Sequence, residues 1–224
     1  MRLAVQTVPA MVALSFVVSA CSVFGGKAAE EPAYRIVLAD GAIQVREYGP
    51  YAVAETVVRE PFDTASRAGF GRLFDYISGA NQKAAMIDMT APVAVASEEI
   101  AMTAPVLASP QPANGAPGRL GDGAGAGWTI TFVLPEGMTV ETAPRPADAR
   151  VTLRDVPARR VAAIRFSGRF RNAAAESQRR ELAAWLEGRD LAHEGDWRMA
   201  GYNPPWTLPP LRRNEVLVTL TGDE

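Results

Sequence analysis

Few side chains in this sequence could do chemistry unaided, and that scarcity narrows the functions open to it. The 224 residues include one cysteine, Cys21, and one histidine, His193. A single thiol closes no intramolecular disulfide, and one Cys with one His cannot furnish a structural zinc site or a two-histidine zinc enzyme. A Ser-His-Asp arrangement would have to recruit His193, which sits among polar residues in the stretch DLAHEGDW and reads as an exposed loop position. No GxSxG elbow accompanies it. What remains is carboxylate and phenol chemistry: Glu55, on a run whose companions Val53 and Val57 are apolar, could form an acid–base pair with Tyr202 in a groove. Twenty-three basic against 25 acidic residues give a net charge of −2, so no cationic excess favours a nucleic-acid partner.

The place of the lone cysteine suggests a different use for it. Met11 to Ala20 is apolar and ends in small residues, and Arg2 is the only charge before Lys27. Val18-Ser19-Ala20-Cys21 resembles the lipobox of bacterial lipoproteins. Residues 1–20 therefore read as a lipoprotein signal peptide, Cys21 as the lipidated first residue of the mature chain, and 21–33 as a tether. Leu3 to Ala20 is broken by Gln6, Thr7 and Pro9, too short and interrupted for a spanning helix. Several acyl chains, each burying methylenes at about 0.8 kcal/mol, hold where one would be marginal. With Ser22 after the cysteine, the lipoprotein resemblance implies attachment to the outer membrane, facing the periplasm.

The elements that must position any site begin at Tyr34. Tyr34 to Ala39 and Ala42 to Glu47 alternate in polarity about Asp40-Gly41, a hairpin signal, and Tyr51 to Val58 continues as a strand after Tyr48-Gly49-Pro50. Phe70, Leu73, Phe74 and Ile77 fall at helical spacing, so Asp63 to Ser78 reads as an amphipathic helix closed by Gly79. Gly69 and Gly71 inside it each cost about 1 kcal/mol relative to Ala, which points to close approach of another backbone or of a ligand. Ala108 to Gly127 holds six Gly, five Ala and three Pro and reads as a flexible surface insertion. Trp128 to Leu134 alternates as a strand.

An internal repeat organises the rest. Ile43 to Ala54 lies over Val151 to Ala162 at an offset of 108 residues, matching apolar, basic and acidic classes in order. The second unit continues with a strand over Val161 to Ser167, a helix capped by Asn172 and ending at Glu187-Gly188, and strands around Trp197 to Tyr202 and Asn214 to Thr221. The fold class expected is α+β: two strand-strand-helix-strand-strand halves in one domain, 34–224, sharing a curved antiparallel sheet with the helices outside it.

Three motifs then identify a family resemblance. Gly79-Ala80-Asn81 followed by Met89-Thr90-Ala91-Pro92-Val93, the second copy Ile100-Ala101-Met102-Thr103-Ala104-Pro105-Val106, and YNPPW with RRNEV (Tyr202 to Trp206, Arg212 to Val216) are similar to the SOUL, or heme-binding protein, family over Tyr34 to Leu220. The resemblance implies a distorted β-barrel flanked by two helices, related to bacterial effector-binding domains. It further implies a tetrapyrrole held in an apolar groove beside the first helix. On that helix Phe70 and Phe74 would form the wall and Arg67 a propionate partner, with Asp75 opposing. Tyr202 and Trp206 could cover the groove or merely plug it, and Arg212 and Arg213 are further propionate candidates, since a planar guanidinium pairs with a carboxylate bidentately. Heme would be held without a histidine ligand, by burial or through Tyr or Met. The expected partner is thus a small planar apolar ligand, with carriage, sequestration or sensing as the role and no catalytic residue or metal site. The residues leave two alternatives open: an envelope protein-interaction domain binding no small molecule, and a small hydrolase built on Glu55.

Overall fold

The computed structural model describes residues 29–82, 97–111, 120, 127–204 and 206–221. The signal segment, Cys21 and the first Met-Thr-Ala-Pro-Val copy lie outside the described residues.

The strands are β1 (Tyr34–Asp40), β2 (Ile43–Tyr48), β3 (Tyr51–Val58), β4 (Asn81–Gln82), β5 (Val106–Pro110), β6 (Trp128–Val133), β7 (Arg145–Pro146), β8 (Val151–Val156), β9 (Arg159–Phe166), β10 (His193–Gly201) and β11 (Asn214–Leu220), with helices α1 (Phe62–Ile77) and α2 (Asn172–Glu187). Nine strands form one antiparallel sheet in the order β1-β2-β9-β11-β10-β5-β6-β3-β8, and β4 pairs β7 apart from it. Setting β1 aside, the order reads the same from either end when β2, β3, β5 and β6 are exchanged for β8, β9, β10 and β11. That is the 108-residue repeat made visible. Each half lends a strand to the other, since β2 pairs β9 and β8 pairs β3.

This connectivity forces the sheet to curl. Gly49-Pro50 joins β2 to β3, and Pro157-Ala158 joins β8 to β9, yet each link spans six places in the strand order. In a flat sheet six places are roughly 29 Å, at about 4.8 Å each. A two-residue link crosses three Cα–Cα steps of about 3.8 Å. The strands must therefore come together around a concave face. They do not close: β1 and β8 remain edges, so the expected distorted barrel is an open, curved sheet.

Alternation along the strands divides the core between the two faces. Ala52 and Ala54 of β3, Ile130 of β6, Ile164 of β9 and Val216 of β11 face the helices and share one apolar cluster with Leu73, Ile77, Leu182 and Leu186. α1 lies on β3, β6 and β8, and α2 on β9 and β11. The alternate residues, among them Val53, Val133, Val156, Val161 and Leu217, form two smaller clusters on the helix-free face. Gly69 is explained by packing: a Cβ there would meet Ile130 Cγ1 at 2.4 Å, whereas one on Gly71 would meet nothing within 4 Å.

Several expectations are corrected. The insertion does not begin at Ala108. Residues 108–110 belong to β5, which pairs with both β10 and β6 and so joins the two halves; Leu120 is buried as well. Small residues suffice there because Ala108 lies beneath packed layers, and they carry no apolar alternation to read. His193 opens β10 instead of lying in a loop, exposed, with its ring edge-on to Trp197 at 5.1 Å. Arg171, not Asn172, is the N-cap of α2.

Candidate functional site

The sequence-designated residues fall on opposite faces of the sheet. Arg67, Phe70 and Phe74 lie on α1, spaced so that they share one side of the helix. Phe70 is half-buried, edge-on to Phe132 of β6 at 5.2 Å, and stacks on Phe74 with ring centroids 6.0 Å apart and planes 10° from parallel. Phe74 is 45% exposed and Arg67 is exposed. Gly71, one turn beyond Arg67 and just short of Phe74, leaves the helix surface between them bare. The arrangement is a flat aromatic ledge with a cation at one end.

Tyr202, at the end of β10, and Arg213, at the start of β11, belong to the helix-free side and do not meet that ledge. The Tyr202 hydroxyl donates to Glu215 Oε2 at 2.6 Å, and the Arg213 guanidinium lies over the Tyr202 ring at 3.7 Å while its Nε donates to Glu215 Oε1 at 3.1 Å. Trp206 is 82% exposed, and Arg212 donates from Nε to the Thr207 carbonyl at 2.7 Å. The structure thus brings together two groups of candidates, one of them committed to internal bonding.

The centre of that bonding escaped the sequence reading. Glu215 is 0% and Arg46 3% exposed. Arg46 grips both carboxylate oxygens, from Nη1 at 2.7 Å and Nη2 at 2.8 Å, a bidentate pairing. Burial pushes the Glu215 carboxyl up, but the bond and charge of Arg46, then Tyr202 and Arg213, outweigh it and hold the carboxyl below its ordinary range. Burial, with Glu215 alongside, pushes the Tyr202 phenol far up. Glu215 is therefore an acceptor held in its ionised form with its lone pairs engaged by Arg46, Tyr202 and Arg213. Glu55 is not brought to Tyr202 either: it pairs with Arg154 at 3.1 Å. The only local sign of the network was a charged residue inside the apolar run NEVLVTL, and its partner lies 169 residues away.

The motif residues have structural duties. Asn81 is buried and donates from Nδ2 to the carbonyls of Tyr76 at 2.8 Å and Glu98 at 2.7 Å, while accepting from the Glu98 amide at 2.9 Å. It ties the end of α1, where Gly79 takes φ +107°, to the chain entering the second Met-Thr-Ala-Pro-Val copy. In that copy the Thr103 hydroxyl donates to the Val133 carbonyl. Just upstream of β1, Glu30 bridges Thr103 and accepts from the Glu136 amide at 2.7 Å, and Glu31 pairs with Arg213 at 2.9 Å. A cavity of about 440 Å³ opens beside this strap, walled by Glu30, Glu31, Tyr51, Met138 and Asp155. No group of three or more His, Cys, Asp or Glu among the described residues is placed to hold a metal ion.

Comparison with known proteins agrees with this architecture. The chain resembles the C-terminal domain of EcmrR with a TM-score of 0.52 at 9% identity, over 84% of this chain and 98% of that one. It resembles a hydrolase from Listeria innocua equally, at 0.52 and 11%, over 80% and 91%. At such identities the likeness concerns the fold alone. Sequence relatives are nearer: Heme-binding protein 1 of Xenopus laevis is 29% identical over 177 residues, 78% of this chain and 82% of its own length. Heme-binding protein 2 of Homo sapiens is 30% identical over 178 residues, 79% and 77%. A family model described as SOUL heme-binding protein matches residues 29–99 and 94–219, spanning both halves of the duplicated sheet. The chain is a member of the SOUL heme-binding protein family.

Proposed function

We propose that this chain is a lipid-anchored binding protein of the bacterial envelope that holds heme, or a similar planar apolar tetrapyrrole, against α1. Family membership supports the ligand class. The observation that carries the placement is the ledge itself: two stacked, nearly parallel rings, the outer one 45% exposed, beside a helix surface left bare at Gly71. Isolated large apolar side chains on a surface need no explanation, but a stacked pair flanked by a bare helical turn offers a flat macrocycle a matching flat wall. Arg67 would meet a propionate at the solvent edge. His193 stands on β10 with its ring on Trp197, whereas α1 lies on β3, β6 and β8, so burial and stacking would hold the macrocycle without a histidine ligand. That suits carriage, sequestration or sensing better than electron or oxygen chemistry. The proposed anchor is lipid on Cys21, with the domain facing the periplasm of the outer membrane.

Hemin titration of residues 22–224, followed in the Soret band, tests the reading. Saturable binding at micromolar hemin is expected. Phe74→Ala should weaken it about tenfold or more, the worth of one phenyl ring's burial, with little loss of fold stability because the ring is already half in solvent. Absence of saturable binding, or an unchanged affinity in Phe74→Ala, would sink the proposal or its placement respectively.

A further inference from the structure

The helix-free face carries a feature that the tetrapyrrole reading does not use. A cavity of about 220 Å³ lies over β3, β5, β6, β8, β10 and the start of β9, with Arg154, Arg159 and Arg198 in its wall. By the roughly 30 Å³ that a water molecule occupies in the liquid, this is room for about seven waters.

The three guanidinium groups are unequally partnered. Arg154 is taken up by Glu55 at 3.1 Å. Arg198 donates from Nη2 to the Thr219 hydroxyl at 2.7 Å, and Arg159 donates to the Tyr51 hydroxyl; neither has a carboxylate within ion-pairing distance among the described residues. Arg159 Nε is also buried without an acceptor. Asp196 and Glu55 are the acids of the wall: Glu55 is engaged by Arg154, and Asp196 pairs with neither free arginine. Burial, and then the charges of Arg159 and Arg154, push the Arg198 guanidinium down to about 10. The remaining wall includes the hydroxyls of Ser109, Thr129 and Thr131, with the Gln111 amide.

The internal repeat sharpens the contrast. At the 108-residue offset Arg154 corresponds to Arg46 and Arg159 to Tyr51. In one half the arginine is neutralised inside the closed Glu215 network. In the other it borders open space, with two further cations that make no ion pair among the described residues, three arginines standing against the two acids Glu55 and Asp196. A cation kept half-buried without an ion-pair partner is unfavourable unless something pairs with it.

We propose that this cavity binds a small oxyanion, a carboxylate or phosphate group, held by Arg159 and Arg198 and oriented by the Thr131 and Ser109 hydroxyls. Planar guanidinium groups meet such oxygens in bidentate fashion, and the hydroxyls complete a polar shell too small for a macrocycle. The site is separate from the α1 ledge, on the other side of the sheet.

The test is isothermal titration of the full chain, in nonionic detergent at constant ionic strength in chloride, with inorganic phosphate and, separately, citrate. The two probes distinguish a phosphate from a carboxylate preference. Saturable one-site binding of at least one probe is expected. Arg159→Gln and Arg198→Gln should each weaken it about tenfold or more, as for lost hydrogen bonds to a charged group. Arg35→Gln, on the exposed edge strand, should leave it unchanged. If Arg198→Gln fails to fold by circular dichroism, Arg159→Gln and Thr131→Val carry the test. Hemin binding should be unaltered in Arg159→Gln. No binding at about 10 mM of either probe, a free energy weaker than about −3 kcal/mol, would overturn the proposal, as would undiminished binding in both arginine variants. Joint loss of hemin and anion binding would make this the propionate end of a tetrapyrrole site and overturn a separate small-anion site.

Discussion

Replacing Gly69 or Gly71 by alanine makes the same chemical change two residues apart on α1, and the structure requires opposite results. Intrinsic helix propensity favours both by about 1 kcal/mol. At Gly71 nothing opposes it, because the new methyl meets no atom within 4 Å. At Gly69 the methyl would lie 2.4 Å from Ile130 Cγ1 and 2.7 Å from Ile130 Cβ, against about 3.5–4.0 Å for relaxed carbon contacts. A rotamer change cannot relieve the second clash, because Cβ is fixed by the backbone. Ile130 is paired on both sides, with Thr56 of β3 and Ala108 of β5, so β6 cannot yield alone and α1 must lift by roughly 1 Å. Overpacking of this kind costs about 1–3 kcal/mol. Gly69→Ala should therefore lose the propensity gain and be destabilised by up to about 2 kcal/mol net, and Gly71→Ala be stabilised by up to about 1 kcal/mol. At roughly 2–4 °C per kcal/mol for a chain of this size, thermal unfolding followed by far-UV circular dichroism resolves the two. A Gly69→Ala protein stabilised as much as Gly71→Ala would refute the close helix–sheet contact on which the α1 packing argument depends.

Other outcomes follow from the polar groups. Glu215→Gln leaves Arg46 and Arg213 without their shared carboxylate and should cost about 3–5 kcal/mol in denaturant unfolding. Because the folded Glu215 carboxyl titrates below its ordinary value, its contribution is complete above the unfolded carboxyl's range and is lost as pH falls through the folded value. Acid titration of stability should lose that limb in Glu215→Gln. Asn81→Ala, which strands two carbonyls and an amide at the end of α1, should cost about 1–3 kcal/mol and admit proteolysis near Glu98 before global unfolding. Cys21→Ala should abolish metabolic lipid labelling and release the chain from membranes; retention in the membrane fraction without label would refute the anchor.

The elements with strong periodic signals were legible. β3 and the end of β1 at the Asp40-Gly41 turn follow from alternation and turn chemistry, and α1 lies within a residue of its expected span. The duplication predicted a shared sheet, and the exchange of β2 and β8 between halves is its physical form. β5 was hidden because its burial is satisfied by Ala108 and Pro110, side chains that also compose loops. The site was half legible. Phe70 and Phe74 declare themselves by helical spacing, whereas Arg46 and Glu215 meet only through the curl of the sheet. Arg213 was legible as a cation, but whether a guanidinium is free for a ligand depends on neighbours brought from Glu31 and Glu215, which no local pattern records.

The strap at Glu30 and Glu31 acts as the fixed end of a leash. If Cys21 carries lipid, nine residues separate the bilayer from Glu30, a reach of at most about 32 Å at full extension. Because Glu30 is bonded to Thr103 and Glu136, and Glu31 to Arg213, the leash leaves the domain from one place, beside the carboxylates Glu136 and Asp155. The domain would then be tethered on the side that carries Glu136 and Asp155. A ligand exchanged with the bilayer would then have to cross no more than that reach.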